Sequence, residues 1–177
     1  MSAKTVKETA VTISLLMQPQ DANPAGLVHG GAIMKEIDNA SGVVAARHSR
    51  KIPVTASIDR IDFHNKVYVG NFVTVKASIN HAGRSSMEIG VRVDAEDLLT
   101  GELRHVASAY LTFVALGVGA NESVPDIIFE TDDEKRRNKE AIMRKKAYLA
   151  LKKIHENDQK ARELLRQKLI TENLSVE

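Results

Sequence analysis

The sequence predicts an α+β fold in which an antiparallel sheet wraps one long central helix, followed by a helical C-terminal extension. Three observations predict it. One alternating segment precedes a run with helical spacing, and four more alternating segments follow it in close succession. Beyond Gly119 and Pro125 no Gly or Pro interrupts a chain of strong helix formers. Short connections force successive strands to be mostly antiparallel, and the single long helix packs most economically on one face of their sheet.

The first strand spans residues 9 to 17, with Val11, Ile13, Leu15 and Met17 on one side and Thr12 and Ser14 on the other. Residues 18 to 27 hold two prolines and a glycine and read as a loop. From about Val28 to Arg47 the spacing turns helical through Ile33, Ile37, Ala40 and Val44. This helix is rich in Gly and Ala and poor in charge, so other elements should surround it. Pro53 opens a second strand in which Val54, Ala56 and Ile58 alternate with Thr55, Ser57 and Asp59. The apolar phase then slips to Ile61 and Phe63, which predicts a bulge. Val73 to Ile79 form a third strand, and Asn80 to Arg84 turn the chain into a fourth that contains Met87, Ile89, Val91 and Val93. After a turn at Leu98 to Glu102, a fifth strand runs from about Leu103 to Ala115.

A chain of 177 residues is long enough for one well-buried domain plus an extension, and we expect the boundary at 120, with 121–177 as linker and basic helical tail. Residues 131 to 177 carry 13 Lys and Arg against 9 Asp and Glu, leaving 12 against 14 elsewhere, so only the tail is basic. Its clusters Arg136-Arg137 and Arg144-Lys145-Lys146 read as a solvated helix face, with Ile142, Leu149, Ile154, Leu164 and Leu165 available for docking. Cysteine is absent, which removes disulfides, thiolate metal ligands and a cysteine nucleophile, and fits a reducing cytosol. With no charged-then-apolar leader and no membrane-length apolar run, the chain reads as cytoplasmic.

The run from Asp21 to Asp38 (DANPAGLVHGGAIMKEID) places Gly30 and Gly31 where the helix begins, although glycine more often ends helices. A helix N-terminus offers unpaired N–H groups and partial positive charge, so bare backbone there lets a polarised carbonyl approach. The Gly31 N–H is the expected donor. Asp38 follows on the same helix, and donors plus a carboxylate point to acyl-group chemistry.

This run, with Ala45-Ala46-Arg47-His48, Val54-Thr55-Ala56-Ser57-Ile58-Asp59, Ser85-Ser86-Met87-Glu88, Leu99-Thr100-Gly101-Glu102 and Leu111-Thr112-Phe113-Val114-Ala115, resembles the hotdog-fold acyl-CoA thioesterases of the cytosolic acyl-CoA hydrolase group. The resemblance spans roughly residues 8 to 135 in one register. It implies two units sharing one sheet as a homodimer, three such dimers in a hexamer, and active sites between protomers. The implied catalytic pair is Asn23 of one protomer and Asp38 of its neighbour. The implied CoA contacts are Thr55, Ala56, Ser57, Arg84, Ser85 and Ser86. CoA enters as part of the substrate, and no cofactor is expected.

Each residue also has a structural reading. Asp38 falls among Met34, Ser41, Gly42 and Ala45, where it could cap a loop or pair with Arg47; catalytically it would activate water or attack the thioester carbonyl directly. Asn23 suits a turn, yet its amide could hold water or polarise a carbonyl. His29 has no triad partner at a telling spacing and takes a supporting role. The histidines 29, 48, 64, 81, 105 and 155 show no metal-binding spacing. Gly30 and Gly31 could relieve crowding against the sheet, and Arg84, Ser85 and Ser86 could be a polar hairpin start. Two other functions fit the fold class: a dehydratase or hydratase acting on acyl thioesters, and a non-catalytic acyl-CoA-binding protein. Nucleic-acid binding is not expected, since three Tyr, four Phe and no Trp make a poor stacking platform.

Overall fold

The computed structural model describes residues 2–174, with side chains for all of these except Ala161 and residues 164–174. The chain divides into a unit ending at Asn138 and a second beginning at Lys139. Along it run β1 (Lys4–Thr5), α1 (Val6–Thr9), β2 (Val11–Leu16), α2 (Gly30–Ser49), β3 (Pro53–Phe63), β4 (Phe72–Ala82), β5 (Ser86–Glu96), β6 (Leu103–Ala115), β7 (Ile127–Ile128) and α3 (Asp132–Leu174). Five strands form one sheet in the order β2-β4-β5-β6-β3, every neighbouring pair antiparallel. The expected α+β architecture is therefore the one adopted.

α2 packs on this sheet because its apolar positions recur at three- and four-residue spacing. Ile33, Ile37, Ala40, Val44 and Ala45 are buried with Val73, Val75, Ile89, Val93, Ala109 and Leu111 of the strands. Ser41 and Ser49 are buried too, their hydroxyls donating to Ile37 O at 2.7 Å and Ala45 O at 2.8 Å one turn back. The helix starts at Gly30 rather than Val28, because the Val28 N–H is drawn to Val67 O at 2.9 Å and His29 serves as N-cap. It ends where Arg50 adopts a left-handed conformation, φ 52°.

Two strands depart from their expected courses. β3 is an edge strand with Pro53 at its first position, where a missing N–H costs no ladder bond. One register shift falls between Ile58 and Arg60, as the apolar slip predicts, and another falls at Ala56, between Thr55 and Ser57. β4 does not turn at Asn80 but continues to Ala82, because a shift between Ile79 and His81 absorbs Asn80. The Asn80 amide there donates to Glu88 Oε1 at 3.0 Å, and both residues are buried. Gly90 leaves the room: a Cβ on it would lie 2.5 Å from Asn80 Nδ2.

Sequence alternation does not reveal β1, α1 or β7. β1 pairs in parallel with β7, Lys4 opposite Ile127. Lys4 Nζ donates to Arg47 O at 2.6 Å and His48 O at 2.7 Å, satisfying carbonyls at the end of α2. The buried His48 ring meets Pro125 O at 2.7 Å through Nε2.

α3 is one helix. Its first turn carries Asp132, Asp133 and Glu134, favourable at a helix N-terminus, and Arg136 and Arg137 both pair with Asp133. Ile142 is half-buried, whereas Leu149 and Ile154 are exposed; the side chains of Leu164 and Leu165 lie outside the described residues. Among the described residues no helix is long and apolar enough to cross a membrane.

Candidate active site

The loop into α2 is built around two side chains. Asp21 accepts the Gln18 N–H at 2.8 Å through its carboxylate and the His29 N–H at 2.7 Å through its carbonyl. Asn23 Oδ1 accepts two backbone N–H groups, from Ala25 at 2.9 Å and Leu27 at 3.2 Å. The Asn23 oxygen is thus spent on the loop, while its Nδ2 meets no acceptor among the described residues. Of the two tasks open to an amide, donation is the one left.

His29 caps α2. Its Nδ1 accepts the Gly31 N–H at 2.9 Å, which corrects the expectation that this N–H stands free. The ring folds back over the helix start, and a Cβ on Gly31 would come within 3.0 Å of Nδ1, so Gly31 makes room for the cap rather than for the sheet. An accepting Nδ1 places the ring proton on Nε2. The donor without a partner is instead the Gly30 N–H, which meets no acceptor among the described residues. A methyl on Gly30 would sit 3.6 Å from Phe63 Cζ.

Asn23 and Gly30 share a cleft of about 330 Å³ with Leu27, Val28, Ile33, Phe63 and Val67, rimmed by His64, Asn65 and Lys66. That volume lies at the small end of ligand sites, about 300–1,000 Å³. Nothing in the sequence singles out the four residues from Phe63 to Lys66. Phe63 is the last apolar residue of a strand, and only the fold turns it back over the helix start.

Asp38 lies elsewhere. Eight residues along α2 from Gly30 it is displaced by about 12 Å at the helical rise per residue. There it is half-buried, and Thr55 Oγ1 of β3 donates to its Oδ1 at 2.8 Å. The alternative pairing with Arg47 does not form, since Arg47 Nη1 donates to Ala10 O at 3.0 Å. Ser57 Oγ and Thr112 Oγ1 both donate to Asp59, at 2.6 and 2.7 Å, an anchor with no sequence signal of its own. Ala56 occupies the bulge between Thr55 and Ser57.

Arg84, Ser85 and Ser86 form the β4–β5 turn. Arg84 Nη1 reaches Ala120 O at 3.3 Å, Ser85 O accepts the Ala115 N–H and Ser86 O the Gly83 N–H. The register aligns Ser86 with Val114 and Val114 with Val54, so this turn and the Thr55 segment share one end of the sheet, about 10 Å apart across two strand spacings. Within one chain the candidate residues thus form two groups: Asn23 and Gly30 at the cleft, and Asp38 with Thr55, Ala56 and Ser57 towards the other end of β3. Among the described residues no group of three or more His, Cys, Asp or Glu could hold a metal ion.

Comparison with known proteins places this geometry. Residues 25–102 match the Thioesterase superfamily profile. The human cytosolic acyl coenzyme A thioester hydrolase is 38% identical over 151 residues, covering 84% of this chain. The match spans only 39% of that relative's length. A hexameric acyl-CoA thioesterase solved as the apo form is 33% identical, with a TM-score of 0.77 over 83% of this chain and 95% of that one. An acyl-CoA hydrolase from Staphylococcus aureus, solved with butyryl coenzyme A and coenzyme A, is 30% identical, with a TM-score of 0.78 over 92% of this chain and 98% of that one. It has also been solved as variants with alanine replacing an asparagine, an aspartate 15 residues later, and a threonine 17 residues after that.

Proposed function

The chain belongs to the Thioesterase superfamily, and from that premise we propose that it hydrolyses acyl-CoA to free CoA and a carboxylic acid at a site shared between two copies. The observation that carries this reading is the pair of donors without a partner among the described residues, Asn23 Nδ2 and Gly30 N–H, on two residues that line one cleft. Two donors at one oxygen position are what a tetrahedral oxyanion requires. The asparagine, aspartate and threonine altered in the Staphylococcus aureus hydrolase have the residue types and separations of Asn23, Asp38 and Thr55, which supports assigning these three to the chemistry.

The division into two groups explains the need for a partner. β3 leaves its outer ladder groups unpaired, with Val54, Ile58 and Phe63 exposed on it. Antiparallel pairing of β3 with its copy about the strand midpoint sets the Phe63 end of one chain against the Pro53 end of the other. The partner's Asp38 and Thr55 then approach the cleft that holds Asn23 and Gly30. Three such dimers would give the hexamer its relative forms. Cytoplasmic placement follows the name of the human relative. The chemistry falls within residues 1–120, with 121–177 as linker and extension.

In the reaction, Thr55 holds Asp38 Oδ1 so that Oδ2 faces a water molecule. As the water oxygen bonds to the carbonyl carbon, its proton passes to Asp38, and the carbonyl electron pair moves onto an oxygen held by Gly30 N–H and Asn23 Nδ2. Collapse breaks the C–S bond, and the departing CoA thiolate takes the proton from Asp38. Thr55, Ala56, Ser57 and the Arg84 turn would line the path of CoA, with the Arg84 guanidinium, whose Nη1 reaches Ala120 O, offering its other nitrogens to phosphate. The lone pair of His29 Nδ1 is spent on Gly31, which leaves His29 unsuited to act as the base of a hydratase. Thiol release from acyl-CoA by the wild type and by Asp38→Asn tests the proposal. The variant should keep its fold and lose most turnover; wild-type activity in it would overturn the role.

A further inference from the structure

We infer that Phe63 sets the acyl-chain preference of this cleft by walling it beside the start of α2, an inference that rests on the thioesterase reading above. Phe63 is the last residue of β3 and remains 50% exposed, although its register partner Ala107 is fully buried. Its ring stands over the start of α2: a Cβ on Gly30 would meet Cζ at 3.6 Å and Cε2 at 4.0 Å. The ring thus lies beside the residue whose N–H is proposed to hold the carbonyl oxygen, where an acyl chain in the cleft would pack against it.

Three of the other apolar walls cannot set the limit in the same way. Val28, Ile33 and Val67 are buried at 7%, 1% and 5% exposure and held by the core, so their positions are fixed by the fold. Of the two large apolar groups that the core does not seal, Leu27 and Phe63, Phe63 is the one that stands against Gly30. His64, Asn65 and Lys66 also line the cleft, and their polar groups offer hydrocarbon nothing. The CoA contacts lie towards the Pro53 end of β3, which in the paired arrangement approaches from the partner. That leaves the apolar lining of this cleft of about 330 Å³ for the acyl group, with the Phe63 ring as part of its wall.

Substitution at this position should move the preference in both directions. Each methylene moved from water to an apolar wall changes binding about fourfold, so room for two more should change the ratio about fifteenfold. The experiment measures kcat/KM on saturated straight-chain acyl-CoAs of increasing length for the wild type, Phe63→Ala, Phe63→Leu and Phe63→Trp, with circular dichroism confirming the fold. Relative to the wild type, Phe63→Ala and Phe63→Leu should shift the optimum to longer chains, and Phe63→Trp should shift it to shorter ones. Profiles that stay parallel across the folded variants would overturn the inference while leaving the thioesterase reading intact. If the wild type hydrolyses no acyl-CoA of any length, the reading itself fails and takes the inference with it.

Discussion

Replacing Asn23 by Asp separates the loop bonds of its Oδ1 from the oxyanion contact proposed for its Nδ2. Oδ1 accepts from Ala25 at 2.9 Å and Leu27 at 3.2 Å, and a carboxylate can do both, because a charged acceptor strengthens such bonds. What Asn23→Asp removes is the Nδ2 donor. Loss of one oxyanion-hole donor lowers kcat by about 10²–10³-fold, and a negative charge beside a developing oxyanion adds to that. Stability should change little. Asn23→Ala, by contrast, removes the donor and both loop bonds, each worth about 0.5–1.5 kcal/mol, so it should lose both turnover and melting temperature. Steady-state hydrolysis of a short acyl-CoA, with thermal melts of the same preparations, reads the two effects apart. Near-wild-type turnover in Asn23→Asp, or equal destabilisation in the two variants, would refute the division between acceptor and donor.

Further outcomes follow from the cap and the buried histidine. His29→Ala removes the N-cap of α2 at a cost of about 1 kcal/mol, or about 2–4 °C in melting temperature for a chain this size, while kcat falls less than about tenfold. A loss of a thousandfold would instead make His29 a reacting group. His48 has its pKa lowered from 6.5, first by burial, with the Lys4 charge acting the same way against the opposing pull of the Pro125 carbonyl and Asp126. The neutral ring is therefore favoured by the fold: the unfolded chain binds the proton more readily, so stability is complete above pH 6.5 and declines as pH falls from there toward the lowered folded value. Thermal melts between pH 8 and 5 should show this decline, and His48→Gln should flatten it. An unchanged slope in the variant would assign it to other groups.

The strands and the central helix were legible because their signals are local. Ala107 to Ala115 alternates between buried and half-buried, and β6 forms at the expected residues with a register shift at Val106. Ile33, Ile37, Ala40 and Val44 mark the buried face of α2. Asn80 was illegible because its place in β4 depends on Glu88 and on the bare backbone of Gly90 in the next strand. The β1–β7 pair joins two-residue segments more than a hundred positions apart, too short to alternate. At the candidate site, residue types were easier to find than free atoms. Two adjacent glycines announce an exposed helix start, but which N–H is free depends on the direction of the His29 ring, and that assigns the role to Gly30. Phe63 escaped notice for a related reason: its strand signal is that of any apolar residue, and its place above Gly30 comes from tertiary packing.

Complementation between two impaired variants probes the shared site most directly. Asn23→Ala and Asp38→Asn, each nearly inactive alone, are co-expressed so that mixed dimers form. If the cleft of one chain works with the carboxylate of the other, each mixed dimer contains one site built wholly from intact residues. Random pairing then restores about a quarter of wild-type activity. Should each chain instead complete its own site, every site in every dimer would lack one residue, and the mixture would stay as inactive as its parents.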